Sequence, residues 1–290
     1  MGLRSRRWAV AFLAAPLALY LTIVIGPALY SFYYGFTDWN FLTGEANFTG
    51  LENVERLVQD ADFYAALQHT AIWTIAGLVI SVFGGFWLAL GLSKLSVLNR
   101  AIKSMFFLPM ALSLVVVGFI WFWIYRLDFG FLNIVLRALG QEDLARAWLA
   151  DSTFALYAVI IAWGWQQIAL SMIVFLAGLT AVPKDLIEAA TVDGARFRHI
   201  LNQVIIPSIR PATGVVISLA LINSLKSFDI VWVMTGGGPF GQSETLAVLI
   251  YKEAFRNYDF GYSSTIAVAL FVITVVIIGG SMIANRSREG

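Results

Sequence analysis

Apolar residues in this chain fall into six long runs, and the stretches between them hold most of the charge. The runs are Trp8–Phe32, Thr70–Leu92, Ser104–Tyr125, Phe154–Thr180, Ala212–Met234 and Tyr262–Ala284. Each reaches the ~20 residues that a helix needs to cross the hydrocarbon core of a bilayer. The pattern predicts an all-α polytopic membrane protein with six transmembrane helices. Between the first two runs, Val54–Leu67 predicts a short helix outside the membrane. The polar stretch Val182–Pro211 predicts a helix, a turn and a second helix. Pro183 suits a first helical turn, and Asp185 and Glu188 suit the positive end of the helix dipole. Leu186, Ile187 and Ala190 share an apolar face at helical spacing. Gly194 breaks the run where the backbone favours glycine. A basic helix with Arg196, Arg198 and His199 follows and is expected to end before Pro207.

Composition agrees with the pattern. Hydrophobic residues make up 59% and charged residues 13%, well under the roughly 25% charged of soluble domains. A soluble core at this length could not absorb so much apolar surface. Lys and Arg set the orientation. Arg4, Arg6 and Arg7, then Lys94, Arg100 and Lys103, then Lys184, Arg196, Arg198 and Arg210, then Arg286 and Arg288 fall on one side of six spans. That side is the cytoplasm and holds both termini. The first outer loop, Tyr33–His69, has Arg56 as its single basic Lys or Arg. Residues 1–67 read as the first helix with its outer loop, and residues 68–290 as a five-helix core with a cytoplasmic loop at 182–207.

Several function classes are excluded. A net charge of +1 gives no argument for nucleic acid. The absence of cysteine removes disulfides, thiolate metal sites and cysteine nucleophiles. His69 and His199 stand far apart, and no metal motif is present. No Gly-Lys-Ser or Gly-Lys-Thr occurs, so any ATP and its Mg must bind another chain.

Polar chemistry inside the spans is sparse. The fourth run holds Trp163, Trp165, Gln166 and Gln167. Amides at membrane depth either bond neighbouring helices or meet a solute. Aromatic faces and amides together suit a sugar ring and its hydroxyls. The fifth run holds Asn223, Lys226 and Asp229; the last two are three apart, so one helix face could pair them. It then runs into Thr235, Gly236, Gly237, Gly238 and Pro239, a glycine-rich outer loop expected to be flexible. Pro109, in the third run, predicts a bend. Gly84, Gly85 and Gly91 predict close helix packing.

One stretch carries a family resemblance. Glu188-Ala189-Ala190, three residues, Gly194, nine residues and Val204-Ile205-Ile206-Pro207 resembles the EAA loop of bacterial ABC importer permeases. Asp193 and Ala195 match the variant found in sugar permeases. Phe36–Asn40, Phe48–Asn53, the Phe228-Asp229 to Pro239 segment and Thr245–Tyr251 resemble further signatures of that group. The likeness is to binding-protein-dependent carbohydrate permeases of the maltose and glycerol-3-phosphate type, first-subunit kind. It implies an ABC type I importer permease fold in a bacterial cytoplasmic (inner) membrane. It implies a transport subunit, not an enzyme, that holds no cofactor of its own. Its implied partners are a second permease, two ATPase subunits that bind ATP and Mg, an extracytoplasmic solute-binding protein and a sugar. The solute could be a mono- or oligosaccharide, a polyol or glycerol phosphate. The rival reading is an ion-coupled secondary transporter of small polar solutes. Asp229 is the one acid available for an intramembrane relay, and no internal repeat relates the halves, which weighs against that rival.

Overall fold

A computed structural model of the chain describes residues 3–93 and 97–286. Lys94 and Arg288, which enter the charge count above, lie outside the described residues. Among the described residues the regular structure is helical, with two isolated β-bridges and no strand. In chain order the helices are α1 (Phe12–Tyr34), α2 (Glu52–Gln59), α3 (Ala61–Leu92), α4 (Val97–Ala111), α5 (Leu114–Ile124) and α6 (Phe131–Ala138). They continue as α7 (Ala155–Thr180), α8 (Lys184–Val192), α9 (Phe197–Ser208), α10 (Arg210–Leu225), α11 (Asp229–Met234), α12 (Leu246–Phe255) and α13 (Phe260–Arg286). Four of them, α1, α3, α7 and α13, are long and apolar enough to cross a membrane, and six spans result if α4–α5 and α9–α10 each count as one bent span.

The third run bends as Pro109 predicts, and two other stretches need correction. The third run is two helices bent by 111°. Pro109 lacks the N–H that would continue the helix. Leu112 N–H closes onto Pro109 O at 3.3 Å, and an extended Ser113 then starts α5 by accepting from Val116 N–H at 3.4 Å. The fifth run breaks after Leu225; Lys226 to Phe228 carry the chain across to α11. The outer helix expected over Val54–Leu67 splits at Asp60, whose backbone is extended and whose side chain accepts from Asp62 N–H at 2.9 Å to start α3.

The α8–α9 segment departs in finer ways. Pro183 is the residue before the first helical turn, not inside it. Pro207 does not end α9. The helix widens into a π turn over Leu201–Ile205, runs on through Pro207 to Ser208, and bends by 68° into α10.

Two compact units contain the described residues: residues 1–63 with 249–272, and residues 64–248 with 273–290. In the first, polar groups do much of the fastening. The buried Asn53 donates to Gly35 O at 3.1 Å and Thr37 O at 2.8 Å. Arg56 pairs with Asp259 at 2.6 Å and lies 3.7 Å from the centre of the Tyr262 ring. Burial disfavours its charge, but the hydrogen bond and charge of Asp259 outweigh this and hold its pKa above the usual value. The Tyr262 hydroxyl donates to the Asp60 carboxylate. Asp38 accepts from the backbone N–H of Asn47 at 2.7 Å and from its side chain, which lowers the carboxyl pKa.

The second unit is built on α7, which is apolar on all sides, as a helix enclosed by neighbours must be. At one part of it Trp163 packs with Trp73, Val117, Ile230 and Met234. At the other Met172 and Phe175 pack with Phe86, Ile200, Ile205 and Val216. Lipid is as apolar as these side chains, so the attraction is close packing more than escape from water. Gly85 makes this plain: a Cβ there would collide with the Ser171 side chain and lie 3.2 Å from Met172 N, so α3 and α7 meet backbone to backbone. Gly91, expected to act likewise, would meet nothing within 4 Å.

Candidate functional site: a polar cavity and a turned helix pair

A cavity of about 480 Å³ lies in the second unit, lined by side chains of α7, the α10–α11 break and the α4–α5 break. It gathers Trp163, Gln166, Gln167, Asn223, Lys226 and Asp229, residues up to 66 positions apart in sequence (229 − 163 = 66). Trp165 is not among them; it packs edge-on against Trp121 at 6.1 Å. Trp163 is almost fully buried and also contacts Trp73, ring centres 5.6 Å apart.

The expected Lys226–Asp229 pair is not formed. Arg56 pairs with Glu253 and Asp259, and no such pair joins Lys226 to Asp229. The three-residue spacing assumed one continuous helix, and the chain leaves the helix at Lys226. Both side chains are exposed, so a cation and an anion line the same cavity as separate groups. Gln167 accepts from Asn223 Nδ2 at 3.5 Å, a long contact. Gln166 turns both donors to backbone: its Nε2 reaches Pro109 O at 3.1 Å and Leu112 O at 2.7 Å. Ser227, not singled out by sequence reasoning, is 4% exposed, and its Oγ has no hydrogen-bond partner. A small residue in a polar run gives no warning of this.

The loop Thr235–Pro239 is fastened, which corrects the expectation of flexibility. Thr235 Oγ1 lies 3.0 Å from Val231 O and 2.8 Å from Ser243 Oγ. Ser243 Oγ donates to Gly238 O at 2.6 Å, and Gln242 N–H to Pro239 O at 2.9 Å. Beside it a second cavity of about 460 Å³ is lined by Thr235, Gly238, Pro239, Arg126 and Asp128, among others. Phe240 follows at 97% exposure with φ +49°.

The Glu188–Gly194 spacing has a local cause. Ala195 N–H bonds Ala190 O at 2.9 Å and Gly194 N–H bonds Thr191 O at 3.0 Å. This is a Schellman ending, in which the residue after the cap takes a left-handed backbone. Gly194 has φ +76° and open space around it. Asp193 is the cap. Ile187, Ala190 and Ala195 pack inward, whereas Glu188, Ala189, Asp193 and Gly194 are exposed. Leu186, expected on the inward face, is 51% exposed, and Val192 and Phe197 join it at 87% and 61%. Three exposed apolar side chains therefore stand in the segment that carries Glu188. Helical pitch places Leu186 a full residue off the Ile187–Ala190 stripe, a distinction that pattern counting blurred.

Chemically the cavity offers hydrogen bonds and charge. No cluster of three His, Cys, Asp or Glu fit to hold a metal exists among the described residues.

Residues 81–288 match the family model "Binding-protein-dependent transport system inner membrane component", and the chain belongs to that family. It is a transport subunit, not an enzyme. A probable ABC transporter permease protein of Pyrococcus horikoshii is 32% identical over 269 residues, covering 93% of this chain and 92% of the relative. The multiple sugar-binding transport system permease protein MsmF of Streptococcus mutans is 32% identical over 273 residues, 94% of this chain and 93% of its own. Among solved structures, a chain of a bacterial ABC transporter that imports the acidic polysaccharide alginate superposes with TM-score 0.86 over 98% of this chain and 96% of that one, at 19% identity. The fold is that of an ABC type I importer permease.

Proposed function

We propose that this chain is one of two permease subunits of an ATP-driven sugar importer in the cytoplasmic membrane, with both termini inside. The permease core is residues 68–290. The observation that carries the reading is the polar cavity among apolar helices, where Gln167, Asn223, Lys226 and Asp229 offer donors and acceptors to a hydroxyl-rich solute. Trp163 gives the same cavity an aromatic wall. The sugar named for the Streptococcus relative supports the class of solute.

Coupling is assigned to α8 and its turn. Glu188, Ala189, Ala190, Asp193, Gly194, Ala195 and Pro207 set this segment, and the exposed Leu186, Val192 and Phe197 supply apolar contacts for an ATPase subunit. ATP and Mg bind that partner. Thr235 to Pro239 form a fixed rim on the outer side, where a loaded binding protein delivers solute. Binding protein and ATP each favour one access state by differential affinity.

The test is reconstitution with the second permease, the ATPase pair and the binding protein, using a panel of labelled sugars. Uptake should require ATP and persist when proton and sodium gradients are collapsed. Uptake by this chain alone, driven by a gradient, would establish the secondary-carrier reading instead.

A further inference from the structure

We infer that Gln166 is a positioning residue that fixes the break in the bent span α4–α5 and ties it to the cavity. A helix broken inside a membrane leaves carbonyls without N–H partners, and such groups must be satisfied within the protein. Here the bend is 111°. Leu112 O and Pro109 O, the latter also accepting from Leu112 N–H at 3.3 Å, stand on either side of the turn, and the Gln166 amide donates to both, at 2.7 and 3.1 Å. Its anchor is α7, where Trp163, one turn earlier, and the adjacent Gln167 are both buried. One side chain thus joins the centre of the unit to a break 54 to 57 positions earlier in sequence.

The same bonds determine what Gln166 can offer the cavity it lines. An amide has two donors and one acceptor oxygen. Both donors are engaged by the backbone, so the free atom is Oε1. An occupant at this point must donate a hydrogen, as a hydroxyl does. A carboxylate or phosphate oxygen placed there would meet a carbonyl oxygen. An occupant bonding Oε1 pulls on the group that sets the bend. This second part rests on the reading of the cavity as the solute pathway.

Two substitutions separate the roles. Gln166→Glu keeps an acceptor and loses both donors, leaving a carboxylate beside two carbonyls. Gln166→Met keeps length and loses all three functions. The chain has no cysteine, so spin labels at Met105→Cys and Trp123→Cys report the distance across the break in the assembled complex. These two residues are 73% and 59% exposed. The expected result is a broadened or shifted distance distribution in both variants, with maximal uptake of a carried probe reduced about tenfold or more. The probes are labelled xylose, maltotriose and glycerol 3-phosphate. KM should rise in Gln166→Met more than in Gln166→Glu, because the latter still accepts. An unchanged distance distribution in both variants overturns the inference. So does a loss confined to KM with maximal rate intact. The distance measurement needs no transported solute, so it decides the inference even if wild type carries none of the probes. That failure would count against the sugar reading alone.

Discussion

The turn at Gly194 offers a graded test of coupling. Its backbone is left-handed at φ +76°, and a Cβ built there meets nothing within 4 Å. Any penalty for a side chain is therefore conformational and not a clash. For an L-residue that penalty is roughly 1–2 kcal/mol. Asn tolerates the region best among the non-glycines, and a β-branched residue tolerates it worst. The two bonds of the Schellman ending, at 2.9 and 3.0 Å, are at the surface. If they open, water replaces them, so they add little to the penalty. The expected order of function is Gly, Asn, Ala, Val. Ala should shift the setting of α8 against alternatives by about tenfold, since about 1.4 kcal/mol is a factor of ten. The assay is retention of the ATPase on the purified permease pair, with ATP hydrolysis measured with and without loaded binding protein. Thermal unfolding of the permease should move little across the series, because the site is exposed. Wild-type retention and stimulation in Gly194→Val, or a ranking with Asn below Val, would refute the reasoning.

Three further outcomes follow from packing, exposure and charge. Gly85→Leu should destabilise the helix pair α3–α7 by roughly 1–3 kcal/mol or more through overpacking, seen as a lower Tm in detergent, while Gly91→Leu should not; equal effects would contradict the packing. Single cysteines at Phe48, Leu139 and Phe240 should label from outside intact cells and one at Val192 should not, all four side chains being well exposed at 69% or more; labelling at Val192 would overturn the topology. Asp38 has a lowered pKa, so its hold on Asn47 is complete above the unfolded carboxyl value of about 3.9 and is lost as pH falls through the folded value. Asp38→Ala should therefore speed proteolysis between residues 39 and 46 at pH 7, and the difference from wild type should shrink as acid protonates Asp38; no difference at pH 7 would remove the role.

The sequence by itself determined the solvent. Six runs of apolar residues can be stable in no other medium, and backbone hydrogen bonds inside a bilayer then require helices. It also determined the turn at Gly194, because a Schellman ending is local: Ala195 N–H closes on Ala190 O and Gly194 N–H on Thr191 O, all within six residues. Long-range pairing was not legible. Nothing in Gln166 says that its partners are carbonyls at Pro109 and Leu112, since the two come within reach of one side chain only once the third run bends. Lys226 and Asp229 have helical spacing on paper, yet the chain leaves the helix between them, and no residue there is a strong breaker. Asn53 reads as a loop residue and is a buried clasp on Gly35 and Thr37. Apolar periodicity reports which residues avoid water. In a membrane nearly every face does so, and the choice among faces is made by shape: where Gly85 lets two backbones touch, where an amide can reach a broken helix, and which carbonyls would otherwise be left alone.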